Sequence, residues 1–499
     1  MSSLDKDRNL SETKSVFNLR AFGSDVLIYS FGQGLLLVFG LIQSLIIPKY
    51  LSTADYGYWQ LFLLYTTYVG ILHLGFLDGI LVRWAGKEFG DIKQEIPIAF
   101  RFLLLEQFLV VGVLALILIA IGPSFLEIGL VVLANAIIVN TIVFFIFTAQ
   151  AVKRFKLVTA INISKGVFFL LMVLVLFVSG IFRYEGLYLA TIVTGSILLI
   201  FLGAHLRDSL HPPATHQKSL RTYGRENISI GLFVLLGNFT AILLATVDRL
   251  TVSSFFPIAQ FAQYTFAMSM CAIVVTFIQA VSLVFFPYLS GSSSELRTRA
   301  YQMLRPAIAI FWAGALAMYF PFTAWVEFYL PHYVASLPLM MILLCMIGFS
   351  SQIQILHVNF FKAYRKQRLY FVLAGVSLVC AVVLYLLAAM LFGTLTSIAV
   401  TAVISSLLWY LLNEFSLRHF VSIDNWEIAR WLLVVGIYAG AFLVTAALAQ
   451  GWVYGMSIYL VLFVLVTGTV LKSEVISLWN LVSALINQNK DTAVVQTER

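Results

Sequence analysis

Of 499 residues, 61% are hydrophobic and only 11% are charged. That balance excludes a soluble globular chain, in which about 25% of residues carry charge, and it predicts an all-α polytopic membrane protein. The formal net charge is +8, but its distribution follows the membrane and implies no nucleic-acid partner. The three cysteines, Cys271, Cys345 and Cys380, sit inside apolar runs and offer neither a disulfide framework nor metal spacing.

The first 20 residues, MSSLDKDRNLSETKSVFNLR, are polar, so no cleavable leader is expected. Beyond them, apolar runs of about 20 residues predict fourteen spans. These lie near 22–47, 56–82, 98–121, 125–150, 160–182, 186–206, 228–252, 261–288, 306–327, 337–361, 370–392, 396–417, 430–450 and 454–471. The third and fourth are separated only by Gly122-Pro123-Ser124, a break read from turn residues.

With the N-terminus placed in the cytoplasm, only Lys49, Arg183 and Arg249 of the 31 Lys and Arg residues fall outside. The rest cluster at inner ends, as in Lys153-Arg154-Phe155-Lys156 and Lys362 to Arg368. The positive-inside rule predicts this orientation, with both termini cytoplasmic. External loops are too short for a soluble domain.

The longest internal loop, Arg207 to Asn227, reads as a linker between halves. Placing Ala54-Asp55-Tyr56-Gly57-Tyr58-Trp59 over Ala259-Gln260-Phe261-Ala262-Gln263-Tyr264 brings out a weak internal repeat. The expected organisation is a tail (1–21), a six-helix bundle (22–206), a linker (207–227), a second six-helix bundle (228–418), two additional helices (419–471) and a cytoplasmic tail (472–499). Parallel repeats of this kind are a mark of alternating-access transporters.

The stretch from Asp55 to Arg83 is the most informative. An aromatic cluster, Tyr56, Tyr58 and Trp59, opens a long apolar helix that also carries Tyr65, Thr66, Thr67, Tyr68, His73 and Asp78. Polar and ionisable groups at that depth imply a face toward protein or water. Gly75 and Gly79 form a small-xxx-small pair that lets another helix approach closely.

These residues carry a family resemblance. Pro48 to Trp59, then His73-Leu-Gly-Phe-Leu-Asp-Gly and Arg83, resemble bacterial oligosaccharide flippases, the O-antigen and exopolysaccharide translocases of the multidrug/oligosaccharidyl-lipid/polysaccharide exporter superfamily. Val247-Asp248-Arg249-Leu250, Ser253, Phe255-Phe256 and Gln263-Tyr264 are similar to the end of that family's seventh helix. The resemblance implies a transporter of the inner membrane, not an enzyme. Its substrate would be a polyprenyl-diphosphate-linked oligosaccharide, with a polysaccharide polymerase and chain-length machinery as candidate partners and no cofactor or metal.

Such a substrate needs a hydrated path and cations to balance phosphate. In the first helix Asp25, Tyr29 and Gln33 form one stripe. Gln33 is a candidate for the cavity; Asp25 is either a helix cap or a cavity group. His73 and Asp78, five apart on one helix, are expected to point apart, with Asp78 meeting Arg83 or a loop cation. Arg83 either snorkels to headgroups or contacts phosphate.

Lys165, read as one turn inside the fifth helix, is a phosphate candidate with snorkelling as the competing reading. Asp248 and Arg249 diverge by about 100° on a helix and are expected to find separate partners, with Arg249 as an outer gate or a phosphate acceptor, or else in a structural ion pair between bundles. Asn238 lies on nearly the same face as Asp248. Ser350, Gln354 and His357 make a polar face on the tenth helix, with Gln352 and Asn359 nearby. Glu106 and Glu414 are candidates for ion coupling or for interhelical contacts. The alternatives are a multidrug or lipid II exporter and, in another class, a membrane-embedded polymerase or glycosyltransferase, against which the short external loops without carboxylate clusters argue.

Overall fold

A computed structural model describes residues 19–123, 126–206, 219–290, 293–421, 423–477 and 480. For 19–31, 33, 37, 276–277, 279–281, 283–290 and 294 it describes the backbone alone. The described chain is a series of helices with long apolar stretches. Twelve are long and apolar enough to cross a membrane, a bent pair makes a thirteenth, and Gly34–Tyr50 is a shorter apolar helix. The protein is thus an all-α polytopic membrane protein, close to the fourteen spans expected.

In chain order the helices are α1 (Leu19–Tyr50), α2 (Thr53–Thr66), α3 (Phe76–Trp84), α4 (Phe89–Ile92), α5 (Ile96–Ile121), α6 (Leu126–Ala151), α7 (Phe155–Val178), α8 (Tyr184–His205) and α9 (Leu220–Phe255). Then come α10 (Ile258–Ser290), α11 (Ser294–Leu316), α12 (Tyr319–Tyr329), α13 (Leu337–Gln352), α14 (Val358–Ala363), α15 (Gln367–Leu391), α16 (Leu395–Val421), α17 (Asn425–Leu448) and α18 (Trp452–Val470). The α9 helix starts before the expected 228, so residues 220–227, read as linker, form its first two turns. The remainder of that linker up to 218 lies outside the described residues.

Two compact units emerge, one of residues 1–45 and 65–238, the other of 46–64 and 239–499. In the first, α6 is the central helix, touching α3, α5, α7 and α8. Its buried apolar groups, Phe144 and Phe145 among them, pack with Trp84, Leu103 and Leu198. In the second, α13 is the most enclosed and packs on α10, α11 and α16. The segment 46–64 joins this unit through Tyr56, whose ring lies edge-on to Phe266 and Tyr333.

The expected continuous helix over 56–82 is broken. After α2, Val69–His73 forms a 3-10 turn, and Leu74 and Gly75 then take left-handed backbone with φ of 49° and 84°. The chain resumes as α3, bent by 63°. Glycine adopts such a φ freely, whereas leucine does so at a cost of about 1–2 kcal/mol, so the surroundings must hold Leu74 there. They do so through α9. A Cβ on Gly79 would lie 1.9 Å from the Asn227 carbonyl oxygen, and one on Gly231 would lie 1.9 Å from that of Gly75. Backbones therefore touch where α3 crosses α9, as the Gly75/Gly79 pair predicts.

Breaking the helix frees carbonyls that the membrane interior cannot hydrate, so protein groups must satisfy them. Asn140 of α6 donates to the Val69 carbonyl at 3.0 Å and to Gln107 Oε1 at 2.8 Å. Gln107 of α5 donates to the Leu72 carbonyl at 3.0 Å and to Glu106 Oε2 at 2.8 Å. Both amides are fully buried, and their four N–H groups are all used. The Gly79→Ala variant is expected to lose about 1–3 kcal/mol, read as a lower unfolding temperature in detergent. Gly112→Ala on α5, where a Cβ meets nothing within 4 Å, should not be destabilised.

Candidate functional site

Three polar centres arise from this framework. The first lies at the break. Gly75 N donates to His73 Nδ1 at 3.2 Å, which leaves Nε2 to carry the proton, and Nε2 sits 3.8 Å from Asp78 Oδ2. The expectation that these two point apart is corrected: it assumed an unbroken helix, and the left-handed pair at 74–75 turns them together. Asn238 Nδ2 approaches Asp78 Oδ1 at 3.5 Å. Asn238 thus pairs with Asp78 and does not extend a lining with Asp248.

Arg83 does not reach Asp78 either. It lies 3.4 Å from both Glu95 and Glu226, with its guanidinium over the Tyr223 ring. Two carboxylates already balance its charge, which corrects the phosphate-binding reading. Glu106, expected in ion coupling, is buried beside Gln107 in the network that supports the break. The side chains of Asp25 and Gln33 lie outside the described residues.

Lys165 stands apart. Because α7 starts at Phe155, Lys165 is about 15 Å along the helix, deeper than the single turn expected. Its side chain is exposed and has no hydrogen bond or ion pair among the described residues.

The second centre is a cavity of about 250 Å³ in the second unit, between α9, α10, α13, α15 and α16. Asp248, Arg249, Ser350, Gln354, Tyr385 and Trp409 line it. Tyr264 donates to Asp248 Oδ2 at 3.0 Å, and Arg249 Nε lies 3.9 Å from Asp248 Oδ1. Neighbouring residues on a helix diverge at Cα, yet the long arginine side chain curls back, anchored on the Ala245 carbonyl at 3.0 Å. The expectation of separate partners is corrected to that extent. The cavity thus presents hydroxyls, an amide and one adjacent pair of opposite charges.

The expected face of Ser350, Gln354 and His357 divides. Between α13 and α14 the residues Ile353–His357 form a π-helical turn, whose wider turn changes the register. Ser350 and Gln354 stay on the cavity, while His357 is fully buried elsewhere. Gln352 donates to the Arg305 carbonyl at 3.0 Å, and Asn359 to Ser282 Oγ at 2.9 Å.

His357 enters the third centre. Glu414 of α16 is fully buried and accepts from His357 Nε2 and from Tyr301 OH, both at 2.7 Å on Oε2. Its Oε1 lies 2.5 Å from Arg305 Nη2, which also donates to Tyr410 OH at 2.8 Å. Arg305 is only 1% exposed and also faces Glu427 at 3.7 Å. Sequence reasoning missed Arg305 because it closes the basic run Arg297 to Arg305, which reads as a surface cluster. A Tyr301–Arg305 spacing on one helix face was the available signal.

No family model matches the chain, and no curated protein matches it. Solved structures do. A lipid II flippase MurJ in an inward closed conformation is 9% identical, with a TM-score of 0.66, over 90% of this chain and 100% of its own. An aspartate-to-asparagine mutant of the Vibrio cholerae MATE transporter VcmN is 15% identical, with a TM-score of 0.52, over 81% of this chain and 97% of its own. The chain has the fold of these transporters. The match takes in nearly the whole length of both neighbours.

Proposed function

We propose that the protein turns a polyprenyl-diphosphate-linked oligosaccharide from the cytoplasmic to the outer leaflet by alternating access, in assembly of a bacterial surface polysaccharide. Lys165 carries this reading. A lysine near the bilayer centre costs roughly 2.5–3.5 kcal/mol or more, and its four-carbon stem is shorter than the distance from the start of α7. A lysine at that depth with no hydrogen bond or ion pair among the described residues calls for water and a passing anion, and a diphosphate supplies the anion. The hydroxyl- and amide-lined cavity with Asp248 and Arg249 supplies groups suited to sugar. The flippase resemblance across Asp55 to Arg83 and the MurJ-like fold point the same way. The same ammonium would repel cationic drugs, which argues against multidrug export.

The test is transport by the full chain in vesicles. A fluorescent polyprenyl-diphosphate oligosaccharide should become accessible to periodate on the far leaflet, while ethidium should not accumulate. Arg249→Gln should slow this movement severalfold at equal protein incorporation. Movement of ethidium alone would refute the proposal, and movement of lipid II alone would redirect it to a lipid II exporter.

A further inference from the structure

The Arg305–Glu414–His357 cluster lies outside the lining of the second unit's cavity and has no part in the proposed translocation. Burying ions is costly unless each is paired, so its charges can be counted. Arg305 supplies one positive charge. Glu414 and Glu427 supply two carboxylates, at 2.5 and 3.7 Å. Arg305 and Glu414 balance one another in the buried part, and Glu427, 29% exposed, adds one negative charge at its edge.

The titratable and charged groups that face it are Tyr301 and Arg305 from α11, Tyr410 and Glu414 from α16, Glu427 from α17, and His357 itself. From α10 comes a hydroxyl, Ser282, whose Oγ donates to the Gln354 carbonyl at 2.7 Å. A positive charge that would offset Glu427 has one place to go. His357 Nε2 is committed as donor to Glu414 Oε2, since that oxygen only accepts when ionised. His357 Nδ1 has no hydrogen-bond partner among the described residues, although the residue is fully buried. Of the tyrosine hydroxyls, Tyr301 donates to Glu414 and Tyr410 accepts from Arg305.

We propose that His357 is a proton-binding site, completed by Glu414, Arg305 and Glu427, that loads one proton during the transport cycle. The Nδ1 lone pair takes a proton from hydronium, whose O–H bond breaks to leave water, giving an imidazolium, and the cluster passes from one negative charge to neutral. No bond within the protein breaks. Glu427, with a side chain 29% exposed in the first turn of α17, connects the cluster to solvent. The adjoining π-helical turn is the element that would respond, because it sets where His357 stands relative to Gln354 on the cavity. This deepens the translocation reading and rests on it only for what the proton is used for.

The experiment measures proton binding without substrate, on the full chain in detergent micelles. Proton uptake per chain between pH 8 and pH 5, the range in which histidines titrate, should fall by about one proton in His357→Gln. Glu427→Gln, at a partly exposed position, leaves Arg305 balanced by Glu414 alone, so uptake should fall there too. In chains labelled with 15N-histidine, the ring signal that is missing from His357→Gln should gain a proton at Nδ1 over this range. If that ring gains none, or if both variants take up as many protons as the wild type, the site is overturned. Glu427→Gln, at a partly exposed position, keeps the uptake test standing even if His357→Gln does not fold. An inert His357 beside intact flipping would remove the proton site and leave the translocation reading standing.

Discussion

Lys165→Gln abolishes flipping of the polyprenyl-diphosphate oligosaccharide, and Lys165→Arg retains it. The expected loss is at least tenfold, since one charge-assisted contact to phosphate contributes about 1.5–3 kcal/mol and each 1.4 kcal/mol is tenfold. Folding should not suffer, because the ammonium touches no protein partner among the described residues. Thermal unfolding and surface expression should therefore match the wild type while transport is lost. A Lys165→Gln protein that transports at the wild-type rate would end the phosphate assignment and, with it, the observation on which the proposed function stands.

Glu414→Ala has the largest expected effect on stability. It leaves Arg305, at 1% exposure, with Glu427 at 3.7 Å and no close carboxylate. It also strands the Tyr301 hydroxyl and the His357 Nε2 proton. Removing one member of a buried ion pair costs about 3–5 kcal/mol, enough to lower the unfolding temperature sharply or to prevent accumulation. Replacing both charges tests the cause. Arg305→Met combined with Glu414→Leu removes the desolvation penalty with the pair, and should recover most of the stability. Unfolding temperatures of the two variants in detergent separate the explanations: if the double replacement is as unstable as Glu414→Ala, an uncompensated charge is not the reason.

These two residues also mark what sequence reasoning could reach. Lys165 was legible because a lysine amid Val, Phe and Leu is costly wherever the helix starts. Its depth was not, since α7 starts at Phe155, five residues before the expected 160, just after Arg154, which lies 4.1 Å over the Phe89 ring. Glu414 was legible as an acid in an apolar run, but its partners come from α11 and the π-helical turn, far away in the chain. His73 and Asp78 were noticed and then set apart, because periodicity extends a helix through Leu74 where tertiary contacts break it.

Composition, hydropathy and the spacing of basic clusters sufficed to determine an all-α membrane protein with about this number of spans, because the bilayer imposes length and apolarity on every crossing segment separately. The Gly75/Gly79 spacing likewise announced a close helix crossing. Which polar groups meet was decided by tertiary structure alone. The left-handed turn at 74–75 and the π-helical turn at 353–357 each depart from the regular helical register. A shift of one residue rotates all that follows by about 100°, so the pairing of buried polar side chains is set by those local departures from the regular helix.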